Sequence, residues 1–224
     1  MTTELNATTY SARLIENITH GINITDSLEQ VIISDDGYVH NFDIIYSNMM
    51  SDSIQSIQLA PGGVVTDIYP AKGNEAGNID LINDETRGEL SRYGRDNNIT
   101  VIQGPFPLKQ GGNGIAIRNP VYLTDDNSQP YFWGFSIVII RVPEIFSATV
   151  QSLSNFGYDY CLSKTASPFD TEYKVIYRSG NTLINPVAYT FELGGCVWKL
   201  DVMPSNGWHN PKRTISLFIC GFTV

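Results

Sequence analysis

Three aspartates, Asp67, Asp80 and Asp84, lie close enough in the chain to supply a general acid and a general base. The rest of a catalytic apparatus is not legible. There is no nucleophile elbow and no zincin pattern, and Gly114 of the glycine-rich stretch is followed by Ile115-Ala116 instead of the Lys-Ser of a Walker loop. His20, His40 and His209 stand far apart, and Cys161, Cys196 and Cys220 form no CxxC pair, so no metal site is written in the sequence. One disulfide, for instance Cys161 to Cys196, is compatible with the count. The reading is therefore no enzyme and no cofactor. Binding fits the residues better, because a small polar molecule needs only a few fixed partners in an apolar wall.

The stretch GPFPLKQGGNGIAIRNPVY, residues 104–122, carries the strongest hint of such a wall. One strand ends in Gly-Pro, a loop holds Gly111, Gly112 and Gly114, and an apolar strand closes on Asn119-Pro120. Glycine at these places permits φ > 0 or close approach of another group. A hairpin whose mouth faces a pocket and a plain hairpin with a loose tip both fit. Charge narrows the partners. A net charge of −9 and a pI near 4.7 argue against nucleic acid, whose phosphates call for a basic face, and against an anionic lipid surface.

These residues need elements to hold them. Leu5, Ala12, Ile15, Ile18 and Ile22 recur at helical spacing and predict an N-terminal helix, weakened at Gly21, with a second helical piece after Asp26 and a third from Asn41 to Ser53. Ser34-Asp35-Asp36-Gly37 between them is turn chemistry. The period then changes to two. Strands are expected around Ile57–Leu59, Val64–Tyr69, Ile99–Gln103, Ile115–Tyr122 and Tyr131–Ile140, with a loop over residues 71–77 and a helix over Asp80–Asn97. A second unit follows: a helix from Pro143 to about Asn155, then strands near Tyr158–Leu162, Glu172–Tyr177 and Cys196–Val202. The pattern is α+β: helical pieces first, then an antiparallel sheet of the PAS-like kind, then a smaller unit beyond a boundary near Arg141–Glu144. The expected units are residues 1–54 (stalk and helical lead-in), 55–142 (first lobe) and 143–224 (second lobe). The opening MTTELNATTY shows neither a basic n-region nor an apolar h-region. The closing TISLFICGFTV reads either as a core strand or as the start of a membrane helix, since eleven residues fall short of the ~20 that span a bilayer.

Ordered short motifs connect these elements to a family. Gln58-Leu59-Ala60-Pro61, Tyr69-Pro70, Gly73-Asn74-Glu75, Asp80-Leu81 and Arg87 come first; Gly104-Pro105, Leu108, Gln110-Gly111-Gly112, Gly114, Pro120-Val121 and Trp133-Gly134-Phe135 follow. Over roughly residues 55–140 the chain resembles the CHASE domain, the extracytoplasmic sensor module of membrane-bound histidine kinases and cyclases; Trp198 and the segment Pro204–Trp208 match more loosely. The resemblance implies a long N-terminal helix followed by two PAS-like antiparallel-sheet lobes, a membrane-distal, ligand-binding one over a membrane-proximal one, with flanking transmembrane helices, a homodimer, and a periplasmic or extracellular location. It implies a small-molecule ligand in the distal lobe, with Asp80, Arg87, Leu108, Gln110, Gly111, Asn119, Tyr122 and Gly134 as candidate binding residues. Asp80 falls where the plant cytokinin receptors of the family hold the ligand ring, though capping a helix at Leu81 explains it equally. Arg87 suits an acidic ligand or a brace to Asp84. Arg118 and Asn119 replace an apolar wall, which suggests a more hydrophilic ligand than a cytokinin: an amino acid, a peptide fragment or a small acid. The alternative is a module that binds a protein partner through the rings of Tyr122–Phe132, or a dimerising spacer.

Overall fold

The computed structural model describes residues 2–73 and 79–208. The expected terminal strand or membrane helix at 214–224, together with His209 and Cys220, lies outside the described residues, as does most of the loop at 71–77. Helix α1 (Thr2–Ser34) runs unbroken for 33 residues. The expected weakness at Gly21 does not interrupt it, because this glycine lies against the sheet. A Cβ there would stand 2.5 Å from Ile140 Cδ1 and 2.6 Å from Ile117 Cδ1, so the missing side chain lets helix and strands approach closely. The buried stripe of Ala7, Tyr10, Leu14, Ile18, Leu28 and Ile32 follows helical spacing. The segment expected as a helix over Asn41–Ser53 shortens to α2 (Phe42–Ser47).

The first sheet contains β1 (Ile54–Pro61), β2 (Asp67–Tyr69), β3 (Val101–Pro107), β4 (Asn113–Thr124) and β5 (Pro130–Val142) in the order β2-β1-β5-β4-β3, antiparallel throughout. Helix α3 (Gly88–Asn97) crosses between β2 and β3. It begins eight residues after the expected start at Asp80, and the cause is local. Asp80 Oδ1 accepts from the Ile82 and Asn83 amides, and Asp84 Oδ1 accepts from the Thr86 and Arg87 amides. Short aspartate side chains that capture nearby N–H groups compete with the helical ladder, and here they fold residues 80–87 into successive turns.

Helix α4 (Glu144–Asn155) leads to the second sheet of β6 (Tyr158–Thr165), β7 (Tyr173–Arg178), β8 (Val187–Leu193) and β9 (Cys196–Pro204), ordered β7-β6-β9-β8. Strand β8 was not expected, although Val187, Tyr189, Phe191 and Leu193 alternate with Ala188, Thr190 and Glu192 as a half-buried strand should. Cys161 and Cys196 are free thiols, so the bridge that the cysteine count allowed between them does not form. Burial lifts both thiols above the usual range, against the pull of Lys199 at Cys161 and of Lys164 at Cys196.

Helix α1 packs on both sheets, touching β4 and β5 of the first, β8 and β9 of the second, and α4. A buried polar joint also ties the sheets directly. The Ile102 amide of β3 donates to Gly194 O at 2.9 Å, and the Lys164 ammonium of β6 donates to Ile102 O at 3.2 Å and to Thr165 O at 2.8 Å. Lys164 is fully buried, and desolvation pulls its pKa below the ordinary lysine value.

Candidate ligand pocket on the first sheet

Strand alternation gives the first sheet two unlike faces. Ile115, Ile117 and Val121 of β4, with Val138 and Ile140 of β5, join the core under α1; Ala116, Phe135, Ile137 and Ile139 form a separate cluster on the opposite face with Ala60, Val65 and Leu81. Over this second face lies a pocket of about 160 Å³. Its apolar wall is Ala116, Ile137, Ile139, Phe106 and Leu108, and its polar floor includes Ser56, Gln58 and Arg118. Arg87, Lys109 and Gln110 stand at its margin. The volume lies below the ~300–1,000 Å³ of drug-sized sites and suits a small metabolite.

Arg118 dominates this floor. The residue is 3% exposed, and the one hydrogen bond of its side chain among the described residues runs from Nη1 to Ser91 Oγ at 3.3 Å. Burial, and secondarily the charge of Arg87, lowers its pKa from 12.5 to about 10, with Asp84 pulling weakly the other way. Arg87 is held by Asp84 at 3.9 Å, a loose pair with both side chains partly exposed.

The eight candidate residues separate cleanly. Arg87, Leu108 and Gln110 line the pocket. Asp80 does not: its carboxylate accepts from Asn83 Nδ2 at 2.8 Å as well as from the two backbone amides. The Asn83 side-chain bond, then the backbone bonds, hold its pKa below the ordinary carboxylate value. Gly111 occupies the open tip of the β3–β4 hairpin at φ +89°. Asn119 points the other way, donating from Nδ2 to Glu29 Oε2 of α1 at 2.9 Å. The Tyr122 hydroxyl donates to Arg95 O at the end of α3. Gly134 serves strand pairing, since a Cβ there would meet Ala60 O at 2.2 Å. Arg118, Ser56 and Gln58 complete the site beyond these candidates. A cation directly after the apolar run Ile115-Ala116-Ile117, on the same strand, was the available signal for Arg118.

A wider open groove of about 1,000 Å³ follows α1 and α4 past Arg13, Glu16 and His20. Its size exceeds that of the sheet pocket, but no buried charge converges on it. Among the described residues no group of His, Cys, Asp or Glu could hold a metal ion, and no helix is long and apolar enough to cross a membrane.

A five-stranded antiparallel sheet in the order 2-1-5-4-3, stacked with a second sheet along one helix, is the architecture of PAS-like extracytoplasmic sensor domains. Residues 44–170 match the CHASE domain family, and the chain belongs to it. It is accordingly an extracytoplasmic sensor module and not a catalyst. Among solved structures, an extracellular ligand binding receptor from Desulfohalobium retbaense DSM5692 superposes with a TM-score of 0.67 at 12% identity, over 90% of this chain and 40% of that one. The chain thus spans less than half the length of that receptor. The ligand binding domain of the Pseudomonas aeruginosa PAO1 amino acid chemoreceptor PctC, in complex with GABA, superposes with a TM-score of 0.56 at 13% identity, over 88% of this chain and 95% of that one. Both likenesses concern the fold. Sequence comparison with curated proteins finds no match.

Proposed function

We propose that this domain is the ligand-sensing part of a membrane-bound signalling receptor of the histidine kinase or cyclase type, and that it binds a small molecule in the pocket on the outer face of the first sheet. The observation that carries this reading is the buried floor of that pocket, where Arg118, Ser56 and Gln58 converge within an apolar wall. A domain of similar fold that holds a metabolite as small as GABA accords with a pocket of about 160 Å³. The rings between Tyr122 and Phe132 favour a small molecule over a protein partner. Phe132 packs edge-on to Tyr122 and Phe135 at centroid distances of 5.7 and 5.0 Å, so that of these rings Tyr131 alone, 46% exposed, stands open, which is less than a contiguous patch.

In this reading residues 55–142 are the membrane-distal sensing unit, residues 143–224 the membrane-proximal unit, and residues 1–54 the stalk that pairs with its copy in a homodimer. The ligand acts by binding one arrangement of the two sheets better than another, since equal affinity for both would shift nothing. Helix α1 and the Lys164–Ile102 joint are the elements placed to pass that difference toward the membrane. The test is a thermal-shift screen of the domain against organic acids, amino acids, amines and cytokinins, repeated on Ala116→Leu, which fills the pocket. A stabilising metabolite should add about 2.7 kcal/mol at a concentration 100 times its Kd, and lose that effect in the variant. A folded protein that no class of metabolite stabilises would sink the proposal in favour of a protein partner or a spacer.

A further inference from the structure

The charge inventory of the pocket is one-sided. Its described lining contains three cations, Arg87, Lys109 and Arg118, and no carboxylate. The most buried of them, Arg118, has a neutral hydroxyl as the one side-chain hydrogen-bond partner among the described residues, and Asp84, the acid nearest in effect, already accepts from Thr86 and the Arg87 backbone. A buried guanidinium of this kind is ordinarily met by an anion, because its planar fork of donors matches a carboxylate in two parallel bonds. Arg87 and Arg118 also repel one another across the pocket edge. An anion between them would relieve that repulsion and replace the water that Arg118 lost on burial.

Resting on the pocket reading above, we infer that the ligand is a small organic acid, whose carboxylate pairs with Arg118 on the pocket floor and faces Arg87, and which carries no ammonium group. The apolar wall of Ala116, Ile137 and Ile139 receives its short carbon chain, and Gln58 and Ser56 are placed for a carbonyl or hydroxyl. Among the described lining residues no acid is present to receive the ammonium of a free amino acid, which separates that class from this ligand. Phosphate shares the charge but leaves the apolar wall unused.

The experiment sets three kinds of compound against one another at matched concentration: short mono- and dicarboxylic acids such as propionate and succinate, their neutral amides, and their amino derivatives such as alanine and aspartate. Inorganic phosphate is a fourth arm. Thermal shift ranks them and titration calorimetry measures the best, on the wild type and on Arg118→Met, Arg118→Lys and Arg87→Gln. The expected result is binding by an acid and not by its amide, with the amino derivative weaker than the parent acid. Arg118→Met should weaken binding by at least about 30-fold, with Arg118→Lys intermediate and the partly exposed Arg87→Gln losing less. Ligand-free Arg118→Met should melt no lower than the wild type, which a purely structural arginine would not allow. Amides or amines that bind as well as acids, with Arg118→Met unaffected, would overturn the assignment while leaving the pocket in place. Binding of amino derivatives above their parent acids would overturn it too, as would a response to phosphate alone. Silence from every compound would take the pocket reading down with it.

Discussion

The Arg118 side chain has one neutral hydrogen-bond partner among the described residues and is buried beside an apolar wall, so its charge opposes folding. The fall in its pKa from 12.5 to about 10 corresponds to roughly 3 kcal/mol of disfavoured charge. Substitution by methionine should therefore stabilise the ligand-free domain by about 1–3 kcal/mol, readable as a higher Tm. The sign with pH follows from the same shift. Arg118 stays protonated up to about pH 10, and a ligand carboxylate ionises near pH 4, so affinity should be level between about pH 5 and 9. It should fall below that range as the ligand protonates and above it as Arg118 loses its proton, and calorimetry across pH checks both limbs. The other charges facing this pair are Arg87, Asp84 and Lys109. Asp80 belongs to a different argument. Its carboxylate holds the turn that precedes α3, so Asp80→Asn should keep the Tm close to wild type while Asp80→Ala lowers it modestly, and neither should change ligand affinity much.

Elements meet at positions where a side chain would intrude. Gly134 allows the Ala60 and Pro61 backbone of β1 to lie against β5, with Ala60 O only 2.2 Å from where a Cβ would be. That neighbour is backbone and cannot swing aside. Gly134→Ala should cost about 3 kcal/mol or more and separate the β1–β5 pair, measurable by denaturant unfolding. Gly21 is a milder case, because its neighbours are the flexible ends of Ile117 and Ile140. Alanine should be accommodated there at a cost of about 1 kcal/mol, whereas leucine should lever α1 off the sheet. The short α2 and the late start of α3 show the reverse situation, in which local turn chemistry prevails over a helical pattern.

For the whole molecule, the question is how a pocket on one face of the first sheet reaches the second. The pocket floor and the α1 seat are neighbours through the sheet, since Arg118 faces the ligand side while Asn119, one residue on, is bonded to Glu29 of α1. Ser136 of β5 adds a bond to Thr25 O at 3.0 Å, and Asn17 further along α1 donates to Ile145 O and Thr149 Oγ1 of α4. One rigid helix is thus fixed both behind the pocket and against the second unit. Asn119→Leu should leave ligand affinity within about threefold of wild type yet blunt the ligand-induced change in hydrogen-exchange protection along α1 and α4. An unchanged response in that variant would move the coupling to the Lys164–Ile102 joint.

The sequence by itself determined the kind of module, because ordered turn motifs and changes of hydrophobic period are local features that survive without knowledge of the fold. The long first helix, the five strands of the first sheet and the helix after Pro143 were legible for that reason. Leu108, Gln110 and Arg87 were legible as pocket residues only through the family resemblance. Arg118 and Asn119 were expected together in one polar wall, yet strand alternation sets them on opposite faces of β4, and the sequence could not say which face would be the pocket. That depended on where α1 docks, a contact between residues more than ninety positions apart that turns on the bare backbone at Gly21. The same long-range packing carried α1 through its weak point, and it set Asn119 against Glu29 and Gly134 against Ala60 instead of against a ligand. What only the tertiary structure decided was which charge is shielded from water with a single neutral partner, and among the described residues Arg118 is in that position, beside a pocket that an anion would suit.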